Sequence, residues 1–219
     1  MRYIGLLLVL LLITGCNNEG GNMENIVLEA EDGVSLAADF YKGSNNKGIV
    51  LLHMLGRNKN SWGIFPKELN DKGYSVIVLD LRGHGQSDLD VNEFSEKDFN
   101  NMILDARAAK DFLELNKVAV IGASIGANTA LKVADEFTTA ILLSPGLNYR
   151  GVDVSDAISD KPILIVASED DRYSYDSSKK ISNNLVNNKL EIYRNKGHGT
   201  NMLDDETKEL IFNWLDEKL

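Results

Sequence analysis

The chain has 219 residues, 43% of them hydrophobic, enough to close one substantial core and too few for two ordinary domains with a linker. Its 33 Asp and Glu against 23 Lys and Arg give a formal net charge of −10. The cations are scattered among the acids with no basic patch, which argues against a nucleic-acid partner.

Taken in chain order, residues 1–15 read as an export signal. Arg2 precedes an apolar run from Ile4 to Ile13, too short to span a bilayer. The run ends in Ile13-Thr14-Gly15-Cys16, which resembles the lipobox of bacterial and archaeal lipoproteins. The resemblance implies a lipid-modified Cys16, with residues 16–24 as a flexible tether and residues 25–219 as the folded domain. Two acyl chains on one residue give stable attachment, so the expected location is outside the cytoplasmic membrane or in the cell envelope. The alternative is a plain signal peptide with an incidental thiol. Cys16 is the only cysteine, so no intramolecular disulfide is possible.

From Asn25 onward, short β-branched runs alternate with longer amphipathic stretches, the pattern of an α/β protein with parallel strands joined by helices. Strands are expected at 26–29, 36–41, 49–53, 75–80, 118–122, 140–143, 163–167 and 190–193. The first two, separated by Asp32-Gly33, form a predicted antiparallel hairpin. Val76-Ile77-Val78-Leu79 and Ile163-Leu164-Ile165-Val166 lack alternation and suit strands covered on both faces. Helices are expected at 62–72, 98–115, 125–136, 176–186 and 204–218. Ser95-Glu96-Lys97-Asp98 offers a capping box, and Asp204-Asp205-Glu206 loads a helix N-terminus with acid. The interval between the strands ending at Leu143 and starting at Ile163 is too short for a cap domain, so the site is expected to be open or shielded only by short loops.

The strongest chemical signal is Gly122-Ala123-Ser124-Ile125-Gly126. It follows an apolar strand and precedes a helix, the context that a nucleophile elbow demands. The small residues around Ser124 let strand and helix approach. With Leu51-Leu52-His53-Met54-Leu55-Gly56, Asp80-Leu81-Arg82-Gly83-His84-Gly85-Gln86-Ser87 and Gly197-His198-Gly199, the chain resembles the α/β hydrolases over nearly its whole length after the leader. That resemblance implies a single domain with an eight-stranded, mostly parallel sheet and helices on both faces.

It also implies a catalytic triad in the order Ser, acid, His. Since His53 and His84 precede Ser124, the base is His198. The acid is expected after the strand at 163–167, where Ser168-Glu169-Asp170-Asp171 offers two candidates. Aligning Ser168 with the family's usual glycine favours Asp171, and a shift of one residue would bring Asp170 instead. The oxyanion donors implied are the backbone amides of Ile125 and Leu55, with Met54 as a rival in place of the family's glycine. His53, Arg82 and His84 are expected to be architectural, the last two by satisfying buried backbone groups, and Trp62 and Phe65 to lie in the core. No metal-ligand spacing or phosphate-binding glycine loop is present, so no cofactor is expected. The implied activity is a serine carboxylesterase acting on a small-molecule or surface ester. Thioesterase, peptidase, perhydrolase and acyltransferase chemistry use the same triad, and a tethered binding protein without turnover is the alternative of a different class.

Overall fold

The computed structural model describes residues 23–219; the leader, Cys16 and most of the expected tether lie outside the described residues. The elements are β1 (Met23–Glu29), β2 (Ser35–Tyr41), β3 (Lys47–Leu52), α1 (Phe65–Asp71), β4 (Ser75–Leu79), α2 (Glu96–Asn100), α3 (Met102–Leu113), β5 (Lys117–Ala123), α4 (Ile125–Lys132), β6 (Thr139–Leu143), β7 (Asn148–Tyr149), β8 (Val152–Asp153), β9 (Ile163–Ser168), α5 (Arg172–Asn184), β10 (Asn188–Tyr193) and α6 (Asp205–Lys218). Met23 and Glu24, assigned by sequence to the tether, already pair with Tyr41 and Phe40.

Eight strands form one sheet in the order β1-β2-β4-β3-β5-β6-β9-β10. The expected hairpin β1–β2 is antiparallel and β2 meets β4 antiparallel, while every pairing from β4 to β10 is parallel. β4, β6 and β9 are buried along their whole length, as their unbroken apolar runs require. Successive residues point to opposite faces, so the sheet serves two cores. Val50, Leu52, Val120 and Ile165 join the core under α3, α4 and α5, and Ile49, Leu51, Ile121 and Val166 join the one under α1 and α6. Trp62 and Phe65 lie in the second core with rings stacked 6.2 Å apart.

Three departures from the sequence reading bear on the site. The helix expected at 98–115 is two helices broken at Asn101, because Asn100 turns its amide to the carbonyls of Glu96 and Gly151, a competition that shortens helices. The Ser95 capping box is present and starts α2 at Glu96. α5 begins at Arg172, four residues before the expected start. The linker after β6 holds the two-stranded hairpin β7–β8, which the sequence reading did not anticipate.

Candidate active site

Ser124 stands between β5 and α4 with φ 55° and ψ −118°, a left-handed backbone state that costs an L-residue about 1–3 kcal/mol. Packing holds it there. A Cβ on Gly122 would lie 2.0 Å from the Gly126 carbonyl oxygen, and one on Gly126 would lie 2.3 Å from that of Leu52. The Ser124 amide donates to the Leu143 carbonyl at 2.8 Å, fastening the elbow to β6.

Asp171 and His198 come from the ends of β9 and β10. Imidazole Nδ1 of His198 lies 2.5 Å from Asp171 Oδ2. Asp171 occupies the residue before α5 without capping it by its side chain, because its carboxylate turns to the imidazole. Asp170 does different work. Its carboxylate accepts from the Ser168 hydroxyl and from the Gly197 amide at 3.3 Å, and these bonds, that from Ser168 first, hold it below the usual carboxylate range. Ser168 Oγ also accepts from the Lys196 amide at 2.9 Å. Ser168 thus stitches the loop carrying Asp171 to the loop carrying His198.

The histidine loop reaches the elbow through Gly199. A Cβ there would sit 3.5 Å from Ala123 Cβ and 2.6 Å from Met54 Sδ, and the Gly199 amide donates to Ser144 Oγ at 2.9 Å. Among the described residues, the polar side-chain contacts of the His198 ring are to Asp171 and Ser174, both at Nδ1. No hydrogen bond joins the ring directly to Ser124 Oγ. Such contacts tighten when substrate binds. Ser124 is 6% exposed, and the His198 side chain is 36% exposed.

The loop after β3 is braced by two histidines. His53 donates from Nδ1 to the Met54 carbonyl at 2.9 Å and accepts at Nε2 from the Leu81 amide at 3.0 Å. Burial lowers its pKa to about 4. His84 donates from Nδ1 to the Arg82 carbonyl and accepts from the Gly56 amide, and the two rings meet edge to face. The turn's positive φ falls on Gly56 at 68°, so Met54 carries no such strain and packs its side chain beneath Gly199. The amides of Met54, Leu55 and Ile125 donate no hydrogen bond to any described residue, so all three are free to serve as donors. Arg82 departs from expectation: its guanidinium reaches Asp105 at 2.7 Å and Asp32 at 2.7 Å, a buried ionic anchor instead of a backbone ligand.

Two residues near the imidazole were not picked out by sequence reasoning. Ser174 Oγ lies 3.5 Å from His198 Nδ1, and the Tyr149 hydroxyl lies 2.9 Å from Ser174 Oγ. The early start of α5 places Ser174 there. A run of Tyr173-Ser174-Tyr175 gives no helical periodicity to announce it. Beside the Leu55 loop opens a cavity of about 330 Å³ lined by Leu55, Gly56, Val91, Phe94 and Phe99 among others. Among the described residues, no cluster of three His, Cys, Asp or Glu could hold a metal ion, and no helix is long and apolar enough to cross a membrane.

This sheet order, with an elbow serine after β5, is the α/β-hydrolase fold, and the comparisons agree. A family model described as alpha/beta hydrolase fold matches residues 48–142. The 2-hydroxy-6-oxononadienedioate/2-hydroxy-6-oxononatrienedioate hydrolase of Escherichia coli strain K12 is 34% identical over 92 residues, 41% of this chain and 31% of that protein. The chain thus spans under a third of the length of such curated relatives. The Pyrococcus furiosus esterase Pf2001 superposes with a TM-score of 0.72 at 16% identity, covering 90% of this chain and 92% of its own. An esterase from Exiguobacterium antarcticum gives 0.73 at 17%, covering 88% and 100%. A proline iminopeptidase from Mycobacterium smegmatis gives 0.73 at 10%, covering 89% and 98%. At these identities the structural likeness defines the fold alone.

Proposed function

We propose that the chain is a serine hydrolase that cleaves carboxylic esters. The observation that carries this reading is the 2.5 Å Asp171–His198 pair on a loop packed against the residue preceding a strained elbow serine. In the first half-reaction Ser124 Oγ bonds to the carbonyl carbon while its proton passes to His198 Nε2. The proton then goes to the leaving alcohol as the C–O bond breaks. Water repeats the sequence on the acyl-enzyme and regenerates the hydroxyl. Asp171 holds the imidazole tautomer and steadies its cation. The developing oxyanion takes the amides of Ile125 and Leu55, which need no reorientation when charge appears.

The esterases among the fold neighbours and the hydrolase relative support hydrolysis, and the peptidase neighbour marks amide cleavage as the competing substrate class. A fluorophosphonate probe should label the wild-type protein and fail to label Ser124→Ala. Ester turnover should vanish in the same variant. Absence of labelling in folded wild-type protein would leave a binding protein on a hydrolase scaffold. A panel of ester, thioester and aminoacyl-amide substrates, with and without an added alcohol acceptor, separates esterase from thioesterase, peptidase and acyltransferase.

The same reading includes an exported protein held at a membrane by lipid on Cys16. Cys16→Ser should release it into the soluble fraction, and unchanged membrane association would refute the anchor.

A further inference from the structure

The β7–β8 hairpin carries Tyr149 to the imidazole. The Tyr149 ring stands edge to face with His198, centroids 6.3 Å apart, and with Tyr173 at 5.4 Å. Its hydroxyl meets Ser174 Oγ at 2.9 Å and the Ser144 carbonyl at 3.4 Å. Burial raises the phenol to about 12, and its hydrogen bond with Ser174 opposes that rise. One phenol therefore borders the imidazole and the Ser174 hydroxyl beside it.

The ring is fixed from three directions. The Tyr173 hydroxyl accepts from the Asn148 amide at 3.1 Å and donates to the Asn148 carbonyl at 2.9 Å. Asn128, buried on α4, donates to the Val152 carbonyl at 2.7 Å and accepts from the Gly146 amide at 3.0 Å. Gly146 supplies the seat: a Cβ there would lie 2.7 Å from Tyr149 Cε2 and 2.6 Å from Tyr173 Cε1. A hairpin of two-residue strands held this way is a fixed wall.

The imidazole hands its proton to the leaving group, so the leaving alcohol departs on the His198 side of Ser124, the side that Tyr149 borders. The Leu55 side opens on the 330 Å³ cavity, which Leu55 and Gly56 line on one side and Arg150, at the tip of the hairpin, also borders. Resting on the serine-esterase reading above, we propose that Tyr149 is the specificity-determining residue of this site, restricting substrates to esters of small, unbranched alcohols while leaving the acyl group free to extend past Leu55.

The test uses the full-length protein and one acyl group, comparing kcat/KM for ethyl, benzyl and diphenylmethyl butyrate by pH-stat titration. Tyr149→Ala should raise the diphenylmethyl-to-ethyl ratio about tenfold or more, the scale expected when a pocket wall is removed. Tyr149→Phe keeps the ring and should leave that ratio within about twofold. An acyl series from ethyl acetate to ethyl octanoate should keep the same profile in all three proteins. If Tyr149→Ala is misfolded by circular dichroism, Tyr149→Leu takes its place with the same expectation. An unchanged leaving-group ratio in a folded variant that still labels with fluorophosphonate overturns this proposal alone, as does a change confined to the acyl series. Wild-type protein that neither labels nor hydrolyses any ester overturns the esterase reading and this proposal with it.

Discussion

The nucleophile elbow and the loops that carry Asp171 and His198 are built by opposite means. At the elbow, backbone meets backbone: Gly122 against Gly126 and Gly126 against Leu52 leave no room for a single methyl. Across the acid and histidine loops, hydrogen bonds set position, from Ser168 to Asp170 and from the Lys196 and Gly197 amides to those two side chains. Sterics fix the serine, so its place is sensitive to volume. Polar ties fix the imidazole, so its place is sensitive to bond-forming groups.

Substitutions of each kind test that contrast. The largest expected effect is from Gly122→Ala, whose Cβ would fall 2.0 Å from the Gly126 carbonyl oxygen. We expect a loss of more than about 4 kcal/mol by urea denaturation, or no folded protein; a native midpoint would break the steric half of the comparison. Asp171→Asn should lower kcat by about 10³–10⁴-fold, the scale seen when a triad acid can no longer hold the tautomer, with thermal stability unchanged. Asp170→Asn should cost only about tenfold, since it weakens the support of the loop without touching the imidazole. Equal losses in the two variants would show that the acids had been assigned wrongly. Ser168→Gly should cost about threefold at most, within the worth of a typical hydrogen bond.

A pH-dependent effect, read as a slope, concerns the loop after β3 that His53 braces. Burial takes His53 from 6.5 to about 4, so its neutral form stabilises the fold fully above about pH 6.5, and this contribution is lost as pH falls from there towards 4. The interval corresponds to on the order of 3 kcal/mol. In His53→Gln, urea midpoints followed from pH 7 to 4 should fall less steeply, by about one proton's worth of slope. Parallel curves would mean that the imidazole is not neutral in the folded state.

Features that depend on local pattern were legible before any coordinates. The apolar runs of β4 and β9, the Asp32-Gly33 hairpin and the Ser95 capping box each depend on neighbours in sequence, and all three appear where expected. Sequence register favours Asp171 over Asp170 as the partner of His198, less sharply because Ser168 stands in place of glycine, and the structure pairs Asp171 with the imidazole. What stayed hidden was made by folding. Ser174 meets His198 across 24 residues and Tyr149 across a sharp hairpin of two-residue strands, too short for any periodicity to show. Arg82 was misread for a related reason. Its partners Asp32 and Asp105 lie 50 and 23 residues away, and nothing beside it in sequence names them.

Asn128 sits one turn beyond Ser124 and holds the hairpin by two bonds, so the elbow serine and the hairpin share one beam. Heating that loosens surface loops should then leave the width of the entrance unchanged, and substrate preference should not drift with temperature. Nor, among the described residues, does this entrance have a door for an oil droplet to open: rate against concentration should follow one smooth hyperbola through the solubility limit of an ester, with no jump where droplets form.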